Sequence, residues 1–282
     1  MSITEFDTRW RQWIQTNIAR GCELSELYRI LLANKFCPRL VTRTLNYAPI
    51  NSQITGSSNK NNTNWSPSQG EIAAALVQPK GATSIDTQGK LQLFTLDNLL
   101  SAAECRQLIH FIRPNLRPST TTNTADQYRG YRTSRTCDLG LLQNPLTEVV
   151  DQRICHVLGI HWSYSESIQA QWYSEGQEFK SHTDYFEPDS DEYRRFARDR
   201  GQRTWTFMIY LNGDCEGGET RFTRLNRSFQ PQTGQAVIWN SLDKNGLPNP
   251  DSMHCGMPVT RGEKVILTKW FRTRGAGEHF LR

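Results

Sequence analysis

The stretch Thr204-Trp205-Thr206-Phe207-Met208-Ile209-Tyr210-Leu211 constrains the fold more than any other. Successive side chains of an extended strand point to opposite faces. Trp205, Phe207, Ile209 and Leu211 therefore share a strongly apolar face, while Thr204, Thr206, Met208 and Tyr210 share a mixed one. A sheet built on such a strand buries its apolar side under other elements and turns its mixed side toward a cavity.

Two further segments alternate in the same way. Gln169, Gln171 and Tyr173 share a face in 169–173, and Lys264, Ile266, Thr268 and Trp270 share one in 264–270. From about residue 160 onward, short alternating strands are separated by Gly, Pro and Asn turns, and Leu91-Gln92-Leu93-Phe94 is an earlier strand. Ser101-Ala102-Ala103-Glu104 has the form of a capping box opening a helix through about Ile112, with Leu108, Ile109 and Ile112 inward. A second helix is expected from Pro145 to Leu158. These helices are the natural cover for the apolar face. The expected fold is mostly β with α: a double-stranded β-helix (jelly roll, cupin-like) with helices packed on the major sheet and a small N-terminal helical region.

That N-terminal region shows helical spacing at Phe6, Trp10, Trp13, Ile14 and Ile18, with Gly21 as a stop, then at Leu24, Leu27, Ile30 and Leu31. Pro38 opens a third short helix ending near Leu45. The chain is expected to divide into a helical region over 1–50, a polar linker or loop over 51–75 rich in Asn, Ser, Thr, Gln and Gly, and a main domain over 76–282. The helices pack on the main domain or mediate homo-oligomer formation; a docking unit for a substrate or partner is the alternative.

Bulk composition excludes several classes. An apolar fraction of 37% with 22% charged residues describes a folded chain with a real core. A net charge of +5 spread over 282 residues does not argue for a nucleic-acid partner. No stretch approaches the roughly 20 apolar residues of a membrane span, so no membrane partner is expected. The seven cysteines are scattered without a C-x-x-C pair, which fits free thiols in a reducing compartment. The N-terminus carries acids where a secretory signal would carry bases, and a cytoplasmic location is expected.

The chemistry centres on His182-Thr183-Asp184. Two positions apart on a strand, the imidazole and the carboxylate reach toward one ion while Thr183 points away. His254 offers a third ligand at a distance. Two imidazoles and a carboxylate on one face of an octahedral ion leave open positions and suit non-haem Fe(II) that activates oxygen. Lys264 shares the face of Trp270 and points into the proposed cavity. A buried ammonium needs an anionic partner, and a dicarboxylate cosubstrate chelating the metal at its other end supplies one.

With these residues in view, the C-terminal half resembles the iron(II)- and 2-oxoglutarate-dependent oxygenases of the prolyl 4-hydroxylase type. The matching positions are Gln169 and Tyr173, Gly176-Gln177 ahead of His182-Thr183-Asp184, and Arg203-Thr204-Trp205-Thr206 leading to Tyr210-Leu211-Asn212. They continue with Gly217-Gly218-Glu219-Thr220, Phe222, Pro231, Gly234, Trp239-Asn240, His254, Gly256, Pro258-Val259, Gly262, Lys264 and Lys269-Trp270. Weaker echoes run from Leu99-Leu100-Ser101 through Arg132-Thr133-Ser134, and the N-terminal 70 residues lie outside the resemblance.

The resemblance implies that His182, Asp184 and His254 bind Fe(II). Lys264 would pair with the distal carboxylate of 2-oxoglutarate, with Tyr173, Thr206 and Tyr210 as further contacts of that cosubstrate. It also implies O2 as oxidant, ascorbate as reductant, and release of succinate and CO2 as a C–H bond is hydroxylated. Related halogenases lack the carboxylate that Asp184 supplies here, so hydroxylation is the expected outcome. The expected substrate is a small-molecule metabolite, with tailoring of a secondary metabolite such as an alkaloid as one case. Peptidyl or free proline is the alternative, and a non-catalytic jelly-roll binding module is a reading of another class. The expected substrate contacts are Arg132, Ser134, Gln169, Gln171, Tyr185, Arg194 and Trp270. The segment 185–202 runs from acids to bases with interleaved aromatics; it is a solvated helix or loop, or a lid over the metal strand.

Overall fold

Alternation in the sequence becomes two antiparallel sheets in the computed structural model, which describes residues 3–19, 24–47, 74, 77–119, 130–142 and 144–275. Apart from Ala74, the polar stretch 51–75 lies outside the described residues, as does Gly21. Six described helices are α1 (Thr8–Ala19), α2 (Leu24–Ala33), α3 (Pro38–Leu45), α4 (Ala102–Ile112), α5 (Pro145–Leu158) and α6 (Asp191–Phe196). The strands before the site are β1 (Thr83–Ser84), β2 (Leu93–Leu96), β3 (Arg117–Pro118), β4 (Arg135–Asp138), β5 (Gln169–Tyr173), β6 (Phe179–His182) and β7 (Arg203–Tyr210). They continue with β8 (Glu216–Gly217), β9 (Thr220–Phe222), β10 (Arg227–Phe229), β11 (Ala236–Asn240), β12 (His254–Gly256), β13 (Val259–Arg261) and β14 (Lys264–Arg272).

The major sheet has the order β1-β2-β11-β7-β14-β5-β4-β3 and the minor sheet β10-β9-β12-β6, with β13 and β8 as a separate pair. This is the jelly roll: two antiparallel sheets enclosing an inner layer of side chains. The apolar face of β7 (Trp205, Phe207, Ile209) packs with Leu108 and Ile112 of α4 and with Val150, Ile154 and Leu158 of α5. Between the sheets, Met208, Tyr210, Trp239 and Ile266 meet Phe222 of β9 in a second, smaller cluster.

The helix ends follow local chemistry. Ser101 accepts from the Glu104 amide while Glu104 reaches back to the Ser101 amide, satisfying two otherwise unpaired donors of α4. Asn144 caps α5 ahead of Pro145, and Gly159 closes it in the left-handed region (φ 66°). β2 begins two residues later than the sequence pattern of 91–94 suggests, because its ladder is set by β11: Leu93 lies opposite Trp239 and Leu96 opposite Ala236.

The N-terminal helices have their own core of Phe6, Ile14, Leu27, Leu31, Phe36, Val41 and Leu45. They dock on the main body through polar contacts. Arg43 of α3 ion-pairs with Glu148 and Asp151 of α5. Buried Arg200 donates to the Asn46 carbonyl and Oδ1 at the end of α3, and to the carbonyls of Ser163 and Ser165. The segment after the metal strand is closed at its base. Gln202 accepts from the Phe186 amide (2.8 Å) and donates to the Phe186 carbonyl (2.7 Å). Between those clamps Ser190 caps α6.

Candidate active site

β6, the loop after it and β12 bring the three candidate ligands together. His182 ends β6 and lies directly opposite His254 on β12. One potential ligand atom from each of His182, Asp184 and His254 lies within 4.8 Å of the others, close enough to share an ion. Each imidazole is oriented from behind: His182 Nδ1 bonds to the Lys180 carbonyl (2.7 Å) and His254 Nδ1 to the Ser252 carbonyl (2.9 Å). That fixes the tautomer and leaves each Nε2 lone pair for a ligand. Thr206 donates its hydroxyl to Asp184 Oδ2 (2.7 Å), so it orients the carboxylate.

The electrostatics favour a metal. Burial, followed by the neighbouring His254, pushes His182 down to about 3, so its imidazole stays neutral and able to ligate. Burial raises the Asp184 carboxyl, but the imidazoles of His254 and His182, Arg203 and the Thr206 hydroxyl outweigh it. They hold Asp184 below the ordinary carboxylate value.

Across the cavity stands Lys264, 1% exposed. Among the described residues no acceptor bonds its Nζ, which faces the rings of Tyr173 (5.2 Å) and Tyr210 (5.7 Å). Burial brings it down to about 8. The backbone passes close over its stem. At Gly218 (φ 69°) an added Cβ would sit 3.2 Å from Lys264 Cδ, so glycine serves both the conformation and the approach. A buried cationic group with no acceptor bonded to it among the described residues fits the distal carboxylate of a dicarboxylate, and the His-Asp-His donor set fits a ferrous ion.

The remaining expected contacts divide. Tyr173 donates to Gln171 (2.7 Å), Gln171 donates to Thr268, and Arg132 donates to Ser134, Thr136 and Gln169. Trp270 lines the cavity beneath the Arg203 guanidinium, 4.2 Å from its ring. Tyr185 is half-buried beside Asp184. Tyr210 and Arg194 are held by other partners. The Tyr210 hydroxyl hydrogen-bonds with the Thr220 hydroxyl (2.8 Å) and with the Phe229 carbonyl (3.0 Å). Arg194 is exposed on α6 and tied to Asp191 (2.6 Å) and the Asp189 carbonyl. The structure adds Phe179, Met208, Thr220 and Trp239 to the cavity wall. Met208 was legible from strand parity, whereas Phe179 on parity alone faces away from His182.

Comparison with known proteins decides the family. The 2OG-Fe(II) oxygenase superfamily model matches residues 168–272. A putative prolyl 4-hydroxylase of Acanthamoeba polyphaga mimivirus is 32% identical over 182 residues, covering 64% of this chain and 74% of that protein. The chain belongs to the 2-oxoglutarate- and iron(II)-dependent oxygenases of the prolyl 4-hydroxylase type. Probable prolyl 4-hydroxylase 3 of Arabidopsis thaliana is 30% identical over 199 residues, covering 63% of the chain and 68% of the plant protein. Among solved structures, a viral collagen prolyl hydroxylase from Paramecium Bursaria Chlorella virus-1, in its 2OG complex, shows 27% identity and a TM-score of 0.48. The match covers 64% of this chain and 95% of that one. As a member of this oxygenase family the protein is a 2-oxoglutarate-dependent hydroxylase using Fe(II), 2-oxoglutarate and O2, with ascorbate the typical reductant. No helix among the described residues is long and apolar enough to cross a membrane.

Proposed function

We propose that this oxygenase hydroxylates proline, in a peptide or free. The observation that carries the reading is the likeness to proteins named prolyl 4-hydroxylases over nearly two thirds of the chain. The small-metabolite substrate expected from the sequence stands second.

In this reading His182, Asp184 and His254 hold the iron, Lys264 binds the distal carboxylate of 2-oxoglutarate, and Tyr173 borders that site. Thr206 keeps Asp184 aimed at the metal, a different part from the direct cosubstrate contact expected of it. Tyr210 supplies a ring face beside Lys264, since its hydroxyl is engaged by Thr220 and Phe229. When bound, iron and cosubstrate supply the oxygen chemistry, yielding succinate, CO2 and a hydroxylated substrate. The chain's own residues bind, orient and exclude water. Gln171 and Trp270 line the cavity, and Arg132, Ser134, Gln169 and Tyr185 complete the expected substrate contacts in this reading. The helices before residue 50 act as a docked extension of the catalytic unit.

The test is a competition. Purified protein with Fe(II), ascorbate, O2 and 2-oxoglutarate is offered a proline-rich peptide, free proline and a metabolite extract. Succinate release coupled to one added oxygen on proline is expected. Coupled turnover confined to the extract would move the assignment to a metabolite.

A further inference from the structure

His182 and His254 face the same point but are held differently. His254 is 6% exposed, with Trp239 at 4.7 Å and Phe222 at 5.6 Å around its ring. His182 ends an edge strand and is only half-buried. Its Nδ1 bond to the Lys180 carbonyl defines one direction in the ring plane and leaves the tilt of that plane open.

A local irregularity limits the tilt. On a regular strand, Phe179 and His182 would face opposite sides. On β6, His182 pairs with His254 but Phe179 pairs with Gly256, so β6 places two residues between the pairs where β12 places one. A bulge of this kind carries one unpaired extra residue and re-aims the side chains around it. Phe179 consequently lies flat on the His182 imidazole, with centroids 3.6 Å apart and planes 15° apart. The Arg132 guanidinium lies over the Phe179 ring at 5.1 Å, and the Arg132 and Phe179 backbones meet in an isolated bridge. Ser134, Thr136 and Gln169 hold that guanidinium in turn, so the stack rests on a fixed support.

We infer that Phe179 is the positioning residue of the His182 imidazole: through the β6 bulge it fixes the ring plane so that Nε2 stays aimed at the point shared with Asp184 and His254. The inference rests on those three residues being the metal ligands. Outer-shell partners that orient a ligand alter metal affinity by roughly ten- to a hundredfold. A stacked ring on a half-buried ligand belongs at the lower end.

The experiment uses the full chain and Co(II) alone, titrated without oxygen and followed by its ligand-field absorption. Phe179→Leu removes the ring, Phe179→Met does so at closer volume, and Phe179→Tyr keeps the stack. Expected are about tenfold weaker Co(II) binding with an altered band for the Leu and Met variants, wild-type behaviour for Tyr, and metal-free melting close to wild type. Should the Leu variant melt early, the Met variant carries the test. Wild-type affinity and band shape in both ring-less variants would overturn the role of Phe179 while leaving the triad intact. Equal Co(II) binding by wild type and Asp184→Ala would instead remove the triad, and the inference with it.

Discussion

The two faces of β14 treat the same side chain in opposite ways. Lys264 and Lys269 are each 1% exposed on one strand, five positions apart and therefore on opposite sides of the sheet. On the helix side, Lys269 Nζ meets Asp151 Oδ1 (2.5 Å) and the Glu166 carbonyl (2.8 Å), and Asp151 also receives Arg43. On the cavity side, Lys264 has no acceptor among the described residues. A buried charge with its partners in place belongs to the structure, whereas one without awaits a ligand. Burial alone does not separate the two lysines; the inventory of acceptors does.

Two substitutions break that comparison most directly. Lys269→Met leaves the buried Asp151 with Arg43 alone and should destabilise the fold by roughly 3–5 kcal/mol in urea unfolding, the range for breaking a buried pair. Lys264→Met removes a buried charge that no acceptor among the described residues bonds, so stability should hold or rise. Its 2-oxoglutarate affinity should fall by about 2–5 kcal/mol, measured by calorimetry. Equal stability losses in the two variants would erase the distinction.

A pH series sharpens it with a smaller effect. Burial holds Lys264 down to about 8 against its ordinary 10.5. Between those values the unfolded chain binds the extra proton, so this group makes the ligand-free protein more stable as pH rises through the window. On the proposed role of Lys264, 2-oxoglutarate binding uses its ammonium and should weaken above about pH 8. The Lys264→Met variant should lose both trends, and their persistence would assign them to other groups.

The smallest effect is expected at Arg194, whose ion pair with Asp191 is exposed on a six-residue helix. Arg194→Ala should change stability by less than about 1 kcal/mol and leave 2-oxoglutarate binding intact. A raised KM for the hydroxylated substrate would return Arg194 to the substrate-binding set.

Much of the architecture was legible because its causes are local. The α5 boundaries follow from Asn144, Pro145 and Gly159, and the α4 start from Ser101 and Glu104. The two faces of β7 follow from parity alone. Gln171 and Tyr173 share a face by alternation, and the structure joins them by a hydrogen bond. Tyr210 shows where parity runs out. Strand alternation selects its face, but the Thr220 hydroxyl and Phe229 carbonyl that engage it come from β9 and β10, in the other sheet.

By itself the sequence determined the helices, the strand faces and the ligand types, since caps, periodicity and donor chemistry act over a few residues. Tertiary structure alone decided the pairing of Arg43, Asp151 and Lys269 across more than a hundred residues, and the β6 bulge that turns Phe179 onto His182. The physical reason is common to both. Which buried charge finds a partner, and where a ladder gains an extra residue, depend on a neighbouring element whose register the local chain does not encode.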